Sequence, residues 1–311
     1  MASTLLFTVD IGNTRTKLGV WRILQENAME KLRFSLIGDA IQLFEFTDTT
    51  NSFENVEYWL DEFACGREIK AYWIVSSVNA GQNHFLKNLV AKVRPNDFFK
   101  VLKLADIPIE VVYDYPEKLG VDRVIAAYAG GGCLEGKNPF LVVDVGTAAT
   151  VDYVNGSGIF LGGAILPGAR LMAKALSVNT ANLPMLNDLE NENLSLINIT
   201  SCKDLLIYPA TETHKAIRLG VIFTLIGAIM AFYWKIRRQF LENKGNPDCL
   251  TLVLAGGDAA ITQCNIQSFF DDLDVSLGIS TPRPKMIVEP CLVLRGLKGI
   301  ACLKDNFFWI S

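Results

Sequence analysis

No GxxxxGK[S/T] loop occurs in the chain, so it does not hold a nucleotide in the P-loop manner. No GxGxxG follows a strand-like run either. The glycines at 130–132 and 156–163 have the wrong spacing, which excludes a dinucleotide fingerprint. Histidine is scarce: only His84 and His214 occur, neither in a metal-like pair, and each reads as a surface or capping residue rather than a catalyst. The seven cysteines are never closer than 11 positions, which leaves no CxxC metal or redox signature. Their odd number in a long chain fits reduced, buried thiols in a cytoplasmic protein. A net charge of −4 provides no basic field for nucleic acid or an anionic membrane surface. Residues 1–4 lack the basic start and cleavage site of a signal peptide. An apolar run at 219–234 is 16 residues without a charge, short of the roughly 18–20 that a membrane span needs. It reads as a helix buried in the core or at a subunit interface. With these chemistries removed, the remaining candidates are carboxylates.

What the chain does have is a motif written twice. Val9-Asp10-Ile11-Gly12-Asn13-Thr14-Arg15-Thr16-Lys17-Leu18-Gly19-Val20 is echoed by Val143-Asp144-Val145-Gly146-Thr147-Ala148-Ala149-Thr150-Val151-Asp152-Tyr153-Val154, 134 positions later. Val, Asp, Gly, Thr and the final Val recur in register. Each copy follows one apolar run and leads into another, as a β-hairpin does. A carboxylate at a strand end is held in place and can carry a hydrated Mg²⁺. Glycine in the turn lets the backbone approach an anion, and successive turn N–H groups form an anion nest. Asn13, Thr14 and Thr147 add neutral donors, and Lys17 adds a cation. A single Asp-x-Gly turn is common in proteins that bind nothing. Two copies in matched surroundings point to a nucleotide held between two related lobes.

At 311 residues, 50% hydrophobic and 20% charged, the chain is long enough for two such lobes with sizeable cores. Strands are expected at 5–10, 16–21, 32–37, 72–75 and 99–104, with helices at 53–63 and 82–93 between them. That alternation is α/β. The triple glycine at 130–132 ends a helix opened near Asp122, which puts the lobe boundary there: 1–133 and 134–311. The second lobe starts with strands at 140–144, 150–154 and 159–166. Residues 185–212, rich in Asn, Asp, Glu and Ser, read as a surface excursion. A long helix runs from Thr213 through Arg238, a strand at 250–254 enters a glycine turn, and a helix at 292–303 closes the chain.

Phosphoryl transfer needs positioned phosphates, a metal ion and a group to orient or deprotonate the acceptor. Asp10 and Asp144 are the ion-site candidates. Asp122, in Gly120-Val121-Asp122-Arg123 at a loop-to-helix junction, is the candidate base. An Asp at a helix start is also an ordinary N-cap. Arg123 is either a surface ion-pair partner or a bidentate anchor for an anionic substrate.

Six segments in order resemble the type III pantothenate kinases of the actin-like superfamily. They are Asp10-Ile-Gly-Asn-Thr14, Tyr113-x-x-Pro116-x-x-Leu119-Gly-Val-Asp-Arg123, Asp144-Val-Gly-Thr-Ala148, Gly162-Gly-Ala-Ile-Leu-Pro-Gly168, Thr213-x-x-Ala-Ile-Arg-Leu-Gly220 and Leu254-Ala-Gly-Gly-Asp-Ala259. The resemblance implies two actin-like, ribonuclease H-like lobes with ATP between them. It implies phosphorylation of pantothenate at its 4′-hydroxyl, the first step of coenzyme A synthesis, by a cytoplasmic homodimer. On that resemblance Asp10, Ile11, Gly12, Asn13, Thr14, Arg15, Thr16, Lys17 and Thr147 bind ATP, and Asp10 serves Mg²⁺. Asp144 serves K⁺ or NH₄⁺, and Asp122 is the general base. Tyr113, Gly120, Val121, Asp122, Arg123 and Thr213 hold pantothenate. Two other readings are a non-catalytic accessory protein on the same fold and another actin-like kinase, such as a sugar kinase.

Overall fold

The computed structural model describes residues 3–25, 34–36, 42–47, 71–134, 138–184, 209–242, 246–278 and 280–303. The chain divides into two compact units, each with its own mixed sheet.

Unit 1 comprises Met1–Ile109, Asp114–Ala129 and Val293–Ser311. Its strands are β1 (Ser3–Ile11), β2 (Arg15–Gln25), β3 (Phe34–Leu36), β4 (Gln42–Thr47), β5 (Ala71–Ser77) and β6 (Phe98–Val101), with α1 (Ala80–Val93) between the last two and α2 (Val121–Gly132) beyond, whose glycines from Gly130 on group with unit 2. β1 is central: β2 pairs with it antiparallel and β5 parallel, and both of its faces are covered. Leu5, Phe7, Val9 and Ile11 join Trp73, Val75, Leu86 and Val90 in one core, where the rings of Phe7 and Trp73 stack at 4.1 Å. Leu6 and Thr8 are equally buried on the other face. α1 begins two residues before the periodicity predicts, because the Asn79 side chain accepts from the Gln82 amide as an N-cap. Asp97 ties the end of this helix to the sheet. It pairs with Arg94, accepts from Trp73 Nε1 at 3.0 Å and takes the Ala71 amide at 3.3 Å.

Unit 2 comprises Glu110–Tyr113 and Gly130–Leu292. It contains β7 (Phe140–Val145), β8 (Ala148–Val154), β9 (Phe160–Pro167), α3 (Ala169–Asn179), α4 (Thr213–Glu242), β10 (Thr251–Ala255), α5 (Ala259–Leu277) and β11 (Lys285–Val288). The last helix, α6 (Leu292–Ala301), returns to unit 1. The sequence boundary assigns all of 134–311 to one lobe, whereas Val293–Ser311 group with unit 1. There Gly296 lies against Ile125 of α2, and Lys298 Nζ sits 4.2 Å above the Trp21 ring.

The two sheets have one topology. Three antiparallel strands (β1, β2, β4; β7, β8, β9) are extended by two parallel ones (β5, β6; β10, β11) on the far side of the first. β3 adds a short second partner to the end of β2. The duplication seen around Asp10 and Asp144 therefore extends to the whole of each sheet.

The triple glycine forms the last turn of α2, which ends at Gly132 as expected. A Cβ on Gly130 would lie 2.8 Å from the Phe140 ring, so the missing side chain lets helix and strand approach closely there. One expectation changes: the thiols are not all reduced, since Cys264 is disulfide-bonded. Sequence spacing does not show which thiols a fold brings together. The helix expected at 53–63 and most of the 185–212 excursion lie outside the described residues.

α4 is 30 residues long and, by length and mean hydropathy, apolar enough to cross a membrane. Half of its apolar window is buried in unit 2, where Ile222, Leu225, Ile226, Ile229 and Met230 pack on β7, β8 and β10. Its other side carries Gly220, Phe223, Thr224 and Gly227, exposed on the single chain.

Candidate active site

In unit 1, Asp10 is the penultimate residue of β1, opposite Lys17 of β2. The turn between them closes with the Gly12 amide donating to the Arg15 carbonyl at 2.9 Å, and Asn13 and Thr14 form its exposed tip. A Cβ on Gly12 would stand 3.1 Å from that carbonyl, which is tight for any other residue. Ile11 and Thr16 are buried, at 1% and 3% exposure, so among the predicted nucleotide contacts only their backbone can face a ligand. Ser76 pairs with Asp10 across the parallel β1–β5 ladder, about 4.8 Å away by strand spacing and on the same face. Its hydroxyl is buried and has no hydrogen-bond partner among the described residues.

In unit 2, Asp144 stands opposite Thr150, and the turn closes with the Gly146 amide on the Ala148 carbonyl at 3.0 Å. The two hairpins differ by one residue. Ile11 pairs with Thr16 across the first, and Val145 pairs with Ala149 across the second. Beyond the turn the sequence repeat is thus one residue out of step with the structure. Thr16, Leu18 and Val20 correspond to Ala149, Val151 and Tyr153. Side chains alternate with period two, so the shift decides which residues face each core. Leu18 and Val151 do so in their respective units.

Two glycine segments brace the second turn. The Gly168 amide donates to the Thr147 carbonyl at 3.0 Å, and a Cβ on Gly168 would fall 2.0 Å from the Gly146 carbonyl. Gly256, at φ +85°, places its α-carbon so that a Cβ would meet Asp144 Oδ1 at 2.5 Å and the Val145 carbonyl at 2.3 Å. Sequence reasoning saw both glycine motifs but named neither residue as part of a site. Their position at strand-to-helix junctions was the available signal.

The Tyr113–Arg123 block divides between the units. Residues 110–113 run beside β9, with the Val112 amide on the Phe160 carbonyl at 2.9 Å, so Tyr113 belongs to unit 2. Its ring rests on Gly162, where a Cβ would come within 3.2 Å. Gly120 to Arg123 belong to unit 1. Asp122 is the second residue of α2, not its N-cap, and its Oδ1 accepts from the Arg123 amide at 2.9 Å. Burial raises the Asp122 carboxyl above its ordinary value, and the Arg123 amide and guanidinium offset part of that rise. Arg123 is itself buried. Thr213 is the exposed first residue of α4.

The sequence that carries these hairpins and the Asp122 helix start matches a known family. The profile of the type III pantothenate kinases covers residues 6–235. The chain belongs to this family. It is 29% identical over 302 residues to the type III pantothenate kinase of Rubrobacter xylanophilus, covering 97% of this chain and 99% of that one. With that of Rhodopirellula baltica it shares 28% over 264 residues, covering 81% and 87%. A solved structure from Sinorhizobium meliloti, named for a 2-dehydro-3-deoxygalactonokinase, superposes with a TM-score of 0.50 at 12% identity, over 98% of this chain and 99% of that one. That likeness concerns the fold alone, which is the actin-like α/β fold expected from the repeats. Apart from Gly256, the residues described above lie in the kinase family's matched region, as does most of α4.

Proposed function

We propose that the chain transfers the γ-phosphoryl group of ATP to the 4′-hydroxyl of pantothenate. Family membership supports the reaction, and the half-buried Asp122 carboxylate at the start of α2, raised by desolvation, is the observation that supports its mechanism. The substrate hydroxyl attacks the γ-phosphorus, the bond to the ADP oxygen breaks, and the hydroxyl proton passes to Asp122. A carboxyl raised above its ordinary value is a stronger base than an ordinary one. Arg123 suits the pantothenate carboxylate by bidentate hydrogen bonds, and Tyr113, Val121 and Thr213 complete the acceptor contacts. Asp10 through Lys17 and Thr147 hold the nucleotide through turn amides, hydroxyls and the Lys17 cation.

The donor set fits a hydrated divalent ion. Among the described residues no three His, Cys, Asp or Glu side chains cluster. Mg²⁺ commonly takes only one or two carboxylates, completed by water and substrate phosphates. Asp10 is such a carboxylate, and the orphaned Ser76 hydroxyl on the next strand can bond a water of the ion's shell. When bound, Mg²⁺ neutralises phosphate charge and aligns it for transfer. Asp144, braced by Gly256, is assigned to K⁺ or NH₄⁺.

The enzyme is read as a cytoplasmic homodimer. The exposed side of α4 supports a partner there. Phe223 is 42% exposed, a Cβ at Gly220 or Gly227 would meet nothing, and a cavity of about 670 Å³ lined by Pro209, Ala216, Leu219 and Phe223 adjoins it. The accessory-protein alternative loses ground because Asp10, Asp122, Arg123 and Asp144 are all present.

Asp122→Asn tests the mechanism. Product mass spectrometry should show phosphopantothenate forming about 10²–10⁴ times more slowly, with the variant folded. An unchanged rate in a folded variant removes Asp122 from the reaction.

A further inference from the structure

We infer that Gly120 is a positioning residue, whose missing side chain sets the direction of the Asp122 carboxylate. This rests on the proposed kinase reaction. The resemblance places Gly120 among residues that hold the substrate, but its geometry points elsewhere. A Cβ built on Gly120 would lie 2.5 Å from Asp122 Oδ1, and its next neighbours are Asp122 Cγ at 3.6 Å and Arg123 Cδ at 3.8 Å. The carboxylate therefore occupies the space a side chain at 120 would fill. The same oxygen accepts from the Arg123 amide at 2.9 Å. Glycine on one side and an amide on the other leave Oδ1 little freedom, and they orient the carboxylate as a unit.

Gly120 does not have the left-handed backbone of Gly162 or Gly256, so an alanine can adopt its conformation. The atom it would strike is the far end of a side chain, free to rotate away at the cost of the Arg123 hydrogen bond. Gly120→Ala should therefore fold with its carboxylate turned aside. Misplacing a reacting group by about 1 Å costs on the order of 10²-fold in rate.

The test is a double-mutant cycle of Gly120→Ala and Asp122→Ala, read by thermal melts and by steady-state kinetics. In the melts, Gly120→Ala should lower the midpoint in the wild-type background and have no effect when residue 122 is alanine, since the obstructing oxygen is then gone. In the kinetics, kcat should fall by about 10² with the KM for pantothenate unchanged. On the Asp122→Ala background Gly120→Ala should cost nothing further. Additive melts would overturn the steric coupling. Coupled melts with an unchanged kcat would overturn the positioning role, as would a raised KM with kcat preserved, which would mark Gly120 as a substrate contact. If the wild-type protein does not phosphorylate pantothenate, the positioning role falls with the reaction. The melts, which need no substrate, still report whether the contact exists.

Discussion

In the proposed reaction, the protonation of Asp122 affects activity and stability in opposite directions. Burial raises its carboxyl, so as the proposed base it would become active only as pH rises through that raised value. The acid limb of kcat should lie above the ordinary carboxylate range and disappear in Asp122→Asn. For stability the folded protein favours the protonated form. The contribution of Asp122 is fully present below the unfolded carboxylate value and is lost as pH rises through the folded one. Asp122→Asn removes that loss, so at pH 7 the variant should melt at or above the wild type, and in acid the two should converge. A variant melting well below the wild type at pH 7 would show that the carboxylate anchors the fold. The sequence marked Asp122 because loop-to-helix junctions are local signals. It could not tell cap from second helical residue, a distinction set by the Gly120–Arg123 geometry.

At the scale of elements, what was legible depended on how far each signal reaches along the chain. The β1–β2 and β7–β8 hairpins are set by strand alternation and turn residues within about twelve positions, and both were read correctly. The one-residue offset between them was not, because the repeat matches in sequence where the structures have slipped. Gly130–Gly132 were read as a helix end and do close α2, but the packing of Gly130 against Phe140 was not legible. The braces on the second turn, Gly168 on Thr147 and Gly256 on Asp144, join segments distant in sequence and depend on the finished fold. Gly168→Ala tests that bracing. Its methyl would strike two backbone carbonyls, an overpacking cost of about 1–3 kcal/mol. We expect a lower melting midpoint together with a raised KM for ATP. An unchanged KM would separate the Thr147 turn from nucleotide binding.

For the whole molecule, the duplicated sheets give each unit one carboxylate at the end of its first strand: Asp10 in one, Asp144 in the other. Their proposed roles differ, and monovalent ions separate them. Turnover should fall when Na⁺ replaces K⁺. Asp144→Asn should lower K⁺-stimulated turnover by about 10–100-fold, as loss of an ion-site group does, and blunt the response to K⁺. A variant that keeps the full K⁺ response would dissociate Asp144 from the ion. The central claim is that the chain phosphorylates pantothenate. The most direct measurement is ADP release from ATP, Mg²⁺ and K⁺ by the purified protein, with and without pantothenate. The account predicts ADP formation that depends on pantothenate and is abolished in Asp122→Asn. ADP release indifferent to pantothenate, or none from a folded protein under any monovalent ion, would contradict it.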